Sequence, residues 1–288
     1  MKGGITLSRY SKKNIMEIRN KVVLITGASS GMGKETAKLL GRQGYIVYAA
    51  SRRIEMMAEL AKSGVTTLRM DVTDEQSLKY GVDLIIGREG RIDMLINSAG
   101  YGLLGPVEEV TTEDARYQME VNVFGLNRLT QLVLPFMRKQ QEGKIINITS
   151  TSGKFSAPLA GWYSASKYAV EALSDSLRME VKAFGIDVII IEPGGVKSEW
   201  GEIARKGLHL IREKSPYSSM AQKIIDFSAK AEPKNAEPAV IAELILKAIT
   251  AKHPKTRYHG GHMAGVILFL RKVLSDSQFD KLMLSQMK

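Results

Sequence analysis

The sequence predicts an α/β fold, a doubly wound parallel sheet with helices on both of its faces. Short apolar runs rich in β-branched residues, such as residues 22–25, alternate with segments of helical spacing, such as residues 35–42. Runs that are apolar throughout are typical of parallel strands, because helices cover both faces of such a sheet. A glycine-rich turn between the first run and the first helix is the third sign of βαβ units.

The predicted elements follow one another without an internal repeat. Strands are predicted, in order, over residues 22–25, 45–50, 68–71, 93–97, 144–149, 187–192 and 256–259. Helices are predicted over residues 35–42, 114–139, 162–184 and 237–251. Pro135 is expected to kink or end the second of these helices, and Gly185 to close the third.

One catalytic domain is predicted over residues 20–262, since a single α/β domain can reach about 250 residues. Residues 1–19 are expected to form a flexible basic arm. Residues 199–236 are polar with scattered aromatic residues, and we expect them to form the loops and helices that bind the substrate. Residues 263–288 predict an amphipathic helical tail. This tail packs on its own domain or a partner subunit or, alternatively, makes weak contact with a membrane surface.

Composition and charge exclude several classes of protein. The 288-residue chain has no cysteine, which rules out disulfides and thiolate metal sites and fits a reducing, cytoplasmic location. The net charge of +11 is concentrated at the ends, with six Lys/Arg against one acid in residues 1–21 and fifteen against eight in residues 201–288. Because the middle is nearly balanced, we expect no nucleic-acid partner. His259 and His262 flank two glycines and are interpreted as a turn, so no metal is expected.

A glycine-rich turn, Thr-Gly-Ala-Ser-Ser-Gly-Met-Gly, occupies residues 26–33. Glycines allow a pyrophosphate to approach the backbone, and the start of the following helix offers free N–H groups and the positive end of its dipole. The turn is not a Walker A loop, because Ala28 stands where that loop needs glycine and Glu35 where it needs serine or threonine. The spacing also differs from the common pattern G-x-G-x-x-G, and a tight structural turn is the plainer alternative, so the dinucleotide prediction depends on the strands that follow.

The ends of the next strands carry residues suited to the rest of a dinucleotide. Residues 51–53, Ser-Arg-Arg, follow the second strand, where an acid would select NAD and an arginine accommodates the 2′-phosphate of NADP. We therefore expect NADP(H) to be preferred over NAD(H), with Ser51 and Arg52 as the main contacts. Residues 71–72 end the third strand beside the expected adenine, and the small residues 97–100 end the fourth.

Tyr163 and Lys167 lie four residues apart, on one face of a predicted helix. A tyrosine with its usual pKa of about 10 is a poor base at neutral pH, and a nearby ammonium lowers that pKa by favouring the phenolate. Tyr163 can then exchange a proton with an alcohol or carbonyl oxygen, to which Ser150 can donate a hydrogen bond. Asn122, inside a helix where asparagine is unfavourable, completes the candidate catalytic set.

In this order the motifs resemble the short-chain dehydrogenase/reductase family, in its single-domain branch with a Rossmann-type sheet. Residues 26–33 match the pattern T-G-x-x-x-G-x-G, residues 97–100 match N-N-A-G apart from Ser98, and residues 193–198 match P-G-x-x-x-T with Ser198 in place of threonine. The resemblance covers about residues 20–200. It implies a sheet of about seven strands and a homodimer or homotetramer.

The resemblance also implies roles for individual residues. It implies that Lys167 holds the nicotinamide ribose, that Asn122 supports a water relay to Lys167, and that Ser198 bonds the carboxamide. The residues expected to be catalytic are Asn122, Ser150, Tyr163 and Lys167. The residues expected to bind the cofactor are Gly27, Ser29, Ser30, Gly31, Met32, Gly33, Ser51, Arg52, Arg53, Asp71, Val72, Asn97, Ala99, Gly100, Tyr163, Lys167, Pro193, Gly194, Val196 and Ser198.

The expected activity is hydride transfer between NADP(H) and a hydrophobic ketone or secondary alcohol of a steroid-, retinoid- or lipid-like kind. The expected pocket walls, residues 101–106, residues 155–162 and the stretch that begins at Trp200, are apolar and aromatic with few charges. The length of chain beyond Pro193 and Gly194 resembles the layout of hydroxysteroid and retinol dehydrogenases. A 3-oxoacyl-carrier-protein reductase, a sugar-nucleotide epimerase and a non-catalytic NADP-sensing protein are the alternatives.

Overall fold

The computed structural model describes residues 21–199, 201, 204, 208 and 215–285. Its centre is one seven-stranded parallel sheet in the order β3-β2-β1-β4-β5-β6-β7. The strands are β1 Val22–Thr26, β2 Ile46–Ser51, β3 Thr66–Arg69, β4 Met94–Asn97, β5 Gly143–Ile148, β6 Ile186–Pro193 and β7 Arg257–Gly260. The predicted fold class, a doubly wound parallel sheet of about seven strands, is confirmed.

The described helices connect these strands and extend the chain beyond β7. They are α1 Gly31–Arg42, α2 Ala58–Lys62, α3 Glu75–Glu89, α4 Thr112–Met119, α5 Gly125–Gln140, α6 Gly161–Glu180, α7 Ser218–Ala231, α8 Ala239–Thr250, α9 Ala264–Val273 and α10 Asp276–Ser285. Short 3₁₀ turns lie at Ile54–Met57, Thr151–Gly153, Lys182–Phe184 and Glu232–Lys234, and a π-helical turn, Glu120–Phe124, joins α4 to α5.

The sheet is buried on both faces, as the apolar runs predict. Side chains alternate along a strand, so Val23 and Ile25 of β1 pack with Leu40 of α1 on one face, where α8 also lies. Val22 and Leu24 pack on the opposite face against α3 and α5. Each such side chain, fully removed from water, contributes about 1.5–3 kcal/mol, so the two faces together hold the sheet rigid beneath the site.

Two helical expectations differ from the structure. Helix α3 is not among the predicted helices, although Asp74 caps it by accepting hydrogen bonds from the N–H groups of Gln76 and Ser77 at 2.9 and 3.2 Å. Pro135 was expected to kink or end the helix over residues 114–139, but α5 continues through it to Gln140. The irregularity lies instead in the π-helical turn, one turn of wider backbone inserted before α5.

The strand order reverses beside β1, which pairs with both β2 and β4. In open α/β sheets a crevice forms at the carboxyl ends of the strands where the order reverses, and ligands bind there. The tail beyond β7 forms α9 and α10, and the ring of Phe279 lies 5.4 Å from that of Phe155, so α10 packs beside one expected pocket wall. In the described parts of the chain, no helix is long and apolar enough to span a membrane. Residues 1–19, the expected basic arm, lie outside the described residues.

Candidate active site

A cavity of about 540 Å³ lies at the carboxyl ends of the strands. It is lined by the glycine-rich turn, by the ends of β2, β3, β4 and β6, and by the start of α6. The sequence-predicted residues that line it are Gly27, Ser29, Ser30, Gly31, Met32, Gly33, Ser51, Arg52, Arg53, Asp71, Val72, Ala99, Gly100, Ser150, Tyr163, Lys167, Pro193, Gly194, Val196 and Ser198. Asn97 and Asn122 do not line it.

The glycine-rich turn requires glycine for reasons of space as well as conformation. Gly27 has a φ of +68°, and a Cβ there would lie 2.8 Å from the backbone of Ala99. A Cβ on Gly33 would lie 2.5 Å from the carbonyl oxygen of Gly27. The side-chain oxygen of Thr26 accepts hydrogen bonds from the N–H groups of Ser98 and Ala99, each at 3.2 Å. The turn is therefore packed against the end of β4 and leaves the start of α1 open, which suits a pyrophosphate group.

The two arginines after β2 have different surroundings. The guanidinium of Arg53 donates to the hydroxyls of Ser29 and Ser30, at 3.1 and 3.3 Å, and to the carboxylate of Glu199 at 2.8 Å. Arg52 instead donates to the hydroxyl of Tyr117 at 2.8 Å. Arg52 was expected from the sequence to be the main arginine contact, but Arg53 is the one held against the glycine-rich turn.

Helix α6 brings Tyr163 and Lys167 together beside Ser150. Lys167 Nζ lies 5.9 Å from the centre of the Tyr163 ring and donates a hydrogen bond to the carbonyl oxygen of Ile148 at 3.0 Å. Both side chains are 8% exposed. A phenol, an ammonium and a hydroxyl thus meet at one end of the cavity, an arrangement that can exchange a proton with a bound oxygen.

Burial shifts the pKa values of this pair in opposite directions. It raises the pKa of Tyr163 to about 12, although a hydrogen bond with Ser150 acts the other way. It lowers the pKa of Lys167 to about 8, with the charge of Glu171 opposing that change. From the sequence, the ammonium of Lys167 was expected to lower the pKa of Tyr163. Burial removes water from around the phenolate, and this raises the pKa by more than the hydrogen bond with Ser150 lowers it.

Asn122 lies within the π-helical turn and is almost fully buried. Its amide nitrogen donates to the carbonyl oxygen of Tyr101 and the hydroxyl of Ser166, both at 3.0 Å, and its oxygen accepts from the N–H of Tyr101 at 3.0 Å. A Cβ on Gly100 would lie 3.1 Å from this oxygen and 3.8 Å from Lys167 Nζ. The side chain therefore ties the loop after β4 to α6, the helix that carries Tyr163 and Lys167.

Asn97 was expected to bind the cofactor, and the structure corrects this. Its amide nitrogen donates to Asn147 at 2.9 Å and to Thr130 at 3.3 Å, inside the protein. Asn97 is the last residue of β4 and its side chain points toward α5, because residues alternate across the sheet. The next residue, Ser98, lines the cavity instead.

A buried cluster of charges beside the site was not predicted. Glu171, one turn after Lys167 on α6, accepts from Thr149 at 2.7 Å and Arg257 at 3.0 Å and pairs with Lys154 at 2.7 Å. Glu192 of β6 is 3% exposed, and burial together with the charge of Glu171 raises its pKa to about 7. A glutamate directly after the apolar run of residues 188–191 was the available signal.

The segments that were expected to form the pocket walls contribute to one apolar cluster. Leu159, Leu208 and Ala221 are buried together, and Leu104 and Ile224 pack against them. These residues come from two of the predicted pocket walls and from the segment that was expected to bind substrate. The five residues lie outside the lining of the cavity described above.

Comparisons with known proteins agree with this geometry. Residues 21–208 match the protein family described as short chain dehydrogenase. The 3-ketodihydrosphingosine reductase of Bacteroides thetaiotaomicron is 38% identical over 247 residues, 86% of this chain and 90% of that protein. The NADPH-dependent 3-dehydrocapnine reductase of Ornithobacterium rhinotracheale is 32% identical over 279 residues, 93% of this chain and 98% of that protein. A solved short-chain dehydrogenase structure from Streptomyces avermitilis has a TM-score of 0.77 at 30% identity, and covers 92% of this chain and 94% of that one.

The family match and the similarity to reductases and dehydrogenases over most of the chain lead to one conclusion. The protein belongs to the short-chain dehydrogenase/reductase family and is an oxidoreductase that acts on CH–OH groups with a nicotinamide dinucleotide.

Proposed function

We propose that this enzyme transfers a hydride between NADP(H) and a hydrophobic, lipid-like ketone or secondary alcohol, with Tyr163 as the general acid or base. The observation that carries the proposal is the cavity itself. Its polar end holds Tyr163, Lys167 and Ser150, and its other end holds Arg53 against the glycine-rich turn. A dinucleotide suits the space between these ends, because the glycine-rich turn lines the cavity and lets a pyrophosphate approach its backbone.

The dinucleotide, when bound, supplies or accepts the hydride at the substrate carbon. In the direction of reduction, Tyr163 gives its phenol proton to the carbonyl oxygen as that oxygen becomes an alcohol. A pKa of about 12 keeps this proton on Tyr163 at neutral pH, which suits a proton donor. Lys167 and the hydroxyl of Ser150 then stabilise the phenolate and the oxygen, respectively. Asn122 positions α6, which carries Tyr163 and Lys167, against the loop after β4.

The preference for NADP(H) rests on the end of β2. No acid follows that strand to bind the ribose hydroxyls, and Arg52 and Arg53 both line the cavity. The similar enzyme from Ornithobacterium rhinotracheale is itself described as NADPH-dependent. Arg53 is held at the glycine-rich turn, so its guanidinium is the group we expect to meet the 2′-phosphate.

A lipid-like substrate suits the apolar character of the segments that were expected to bind it, which pack together in one cluster. The similar protein from Bacteroides thetaiotaomicron is a reductase of 3-ketodihydrosphingosine. We therefore expect long-chain ketones to be reduced more efficiently than short ones of the same carbonyl type. An acyl-carrier thioester serves as the comparison substrate, since it tests the main alternative activity.

The decisive experiment follows NADPH oxidation by absorbance, with long-chain and short-chain ketones and a 3-oxoacyl-carrier thioester as substrates. Tyr163→Phe is expected to lower kcat by about 10²–10⁴-fold while NADPH still binds, because only the transferable proton is removed. The control is Tyr168→Phe, an exposed tyrosine on the same helix, which should retain activity. Full activity in the Tyr163→Phe enzyme would overturn the mechanism, and preference for the thioester would overturn the substrate assignment.

The partners of the enzyme follow from its exposed apolar surfaces. Tyr117, Phe124, Tyr168 and Leu173, on α4, α6 and the turn before α5, are each at least 42% exposed. Covering such a surface against a second copy is favourable, so we expect a homodimer or homotetramer. Light scattering on the purified chain tests this, and a monomer at micromolar concentration contradicts it.

The tail carries a second exposed apolar face. Val266, Phe269 and Val273 of α9 share one side of the helix and are 49–63% exposed, with Lys272 at its flank. An amphipathic helix of this kind can rest on an anionic bilayer. We expect weak partitioning onto vesicles that contain an anionic lipid, and its loss in Phe269→Asp. Unchanged partitioning in that variant would show that the face does not contact the membrane.

A further inference from the structure

The guanidinium of Arg53 is already engaged before any ligand binds. It donates to Ser29 and Ser30 of the glycine-rich turn and, at the shortest distance of the three, to a carboxylate oxygen of Glu199 at 2.8 Å. Glu199 directly follows Ser198, and both residues line the cavity. One carboxylate therefore reaches across the cavity mouth from the end of β6 to the end of β2.

This carboxylate occupies the position where a phosphate would be recognised. Carboxylate and phosphate oxygens bind a guanidinium in the same planar, forked geometry. The hydrogen bond and charge of Arg53 lower the pKa of Glu199, so Glu199 is ionised at neutral pH. A bound 2′-phosphate carries a charge near −2. It would thus meet both the guanidinium of Arg53 and the competing carboxylate of Glu199.

The two anions cannot share Arg53 without repelling each other. Arg53 and Glu199 are 46% and 40% exposed, so their ion pair is weak and a phosphate can displace it. A ribose hydroxyl brings no charge, and NAD(H) would leave the pair intact. The ion pair between Arg53 and Glu199 therefore opposes the binding of NADP(H) but not that of NAD(H).

We propose that Glu199 is a specificity-determining residue that occupies the 2′-phosphate position on Arg53 in the ligand-free enzyme and must be displaced by NADP(H), but not by NAD(H). The inference rests on the proposed function, because it takes Arg53 as the 2′-phosphate contact. It goes beyond that function by assigning a residue that weakens the preference for NADP(H). It also connects cofactor choice to the segment that begins after Ser198.

The test is equilibrium binding of NADPH and NADH to the purified full-length protein, followed by nicotinamide fluorescence. Glu199→Gln keeps the size of the side chain but removes its charge. It should tighten NADPH binding about two- to fivefold, the range of an exposed ion pair, and leave NADH binding unchanged. The matched control is Asp276→Asn, which breaks an exposed ion pair with Arg271, and neither of these two residues lines the cavity. That variant should change neither affinity.

A second variant separates the inference from the function on which it rests. Arg53→Gln should weaken NADPH binding more than NADH binding, and adding Glu199→Gln to it should then give no further gain. If Arg53→Gln behaves in this way but Glu199→Gln leaves NADPH binding unchanged or weaker, the inference fails and the NADP preference stands. Equal tightening of both dinucleotides by Glu199→Gln also overturns it. If Arg53→Gln does not discriminate between the dinucleotides, both fail.

Discussion

The substitution Glu192→Gln is expected to stabilise the protein in a pH-dependent way. Glu192 is buried at the end of β6, beside Glu171, and its carboxylate lies 3.7 Å from Arg257 and 3.9 Å from Lys154, too far for good hydrogen bonds. Asp175 adds further negative charge nearby. Burial and these like charges raise its pKa from 4.5 to about 7.

The sign of the effect follows from proton uptake. Between pH 4.5 and 7 the folded protein keeps a proton on Glu192 that the unfolded chain has lost, so the free energy of unfolding falls as the pH rises through this window. This raised pKa lowers the free energy of unfolding by about 3 kcal/mol once the pH is well above 7. About 2 kcal/mol of that decrease falls between about pH 5 and 8. Glutamine resembles the protonated form and removes this loss.

The assay is urea-induced unfolding of wild type and variant at pH 5 and pH 8. The stability advantage of Glu192→Gln should be about 2 kcal/mol larger at pH 8 than at pH 5, and comparing the two pH values cancels any change in packing. Glu171→Gln is the contrasting variant. It should destabilise the protein by about 3 kcal/mol at pH 5, because it leaves Arg257 and Lys154 without their buried carboxylate, and by less at pH 8, because it also removes a like charge beside Glu192. An equal advantage of Glu192→Gln at both pH values would refute the reasoning.

Three further substitutions test the packing of two glycines and of one buried carboxylate. Gly125→Ala should lower the unfolding free energy by about 1–3 kcal/mol, since its Cβ would overlap the carbonyl oxygen of Val72; an unchanged thermal midpoint contradicts this. Asp93→Ala should cost about 3 kcal/mol in urea unfolding, because this buried carboxylate accepts from a backbone N–H at 2.8 Å and from two cations; a loss under 1 kcal/mol would argue otherwise. Gly33→Ala should weaken NADPH binding at least tenfold by crowding Gly27, as measured by fluorescence titration, and wild-type affinity would show that the turn does not hold the cofactor.

Local patterns were enough to predict most of the fold. Strand β1 is a short run that is apolar on both faces, and this distinguishes it from the 3.6-residue spacing of an amphipathic helix. Helix α3 escaped prediction because its buried residues, among them Leu78 and Val82, are separated by charged residues and one glycine, and its apolar stripe is narrow. Its cap at Asp74 and the left-handed Gly90 at its end were the stronger signals.

The candidate site was predictable where its residues are neighbours in sequence. The glycine-rich turn and the Tyr163–Lys167 pair each lie within one turn of chain, so spacing alone brings their groups together. The direction of a single side chain was harder to predict. Asn97 and Ser98 are neighbours in the sequence, yet their side chains point to opposite faces of the sheet. The pKa of Tyr163 depends on burial, which no local pattern measures.

By itself, the sequence determined the layered sheet, the place of the dinucleotide cavity and the chemical groups at its polar end, because each depends on residues that are close along the chain. Only the tertiary structure decided which arginine faces the glycine-rich turn, which carboxylate pairs with it across 146 residues, and how burial divides protons between Tyr163, Lys167 and Glu192. Charges interact through space and through the exclusion of water, and both are set when distant segments pack together.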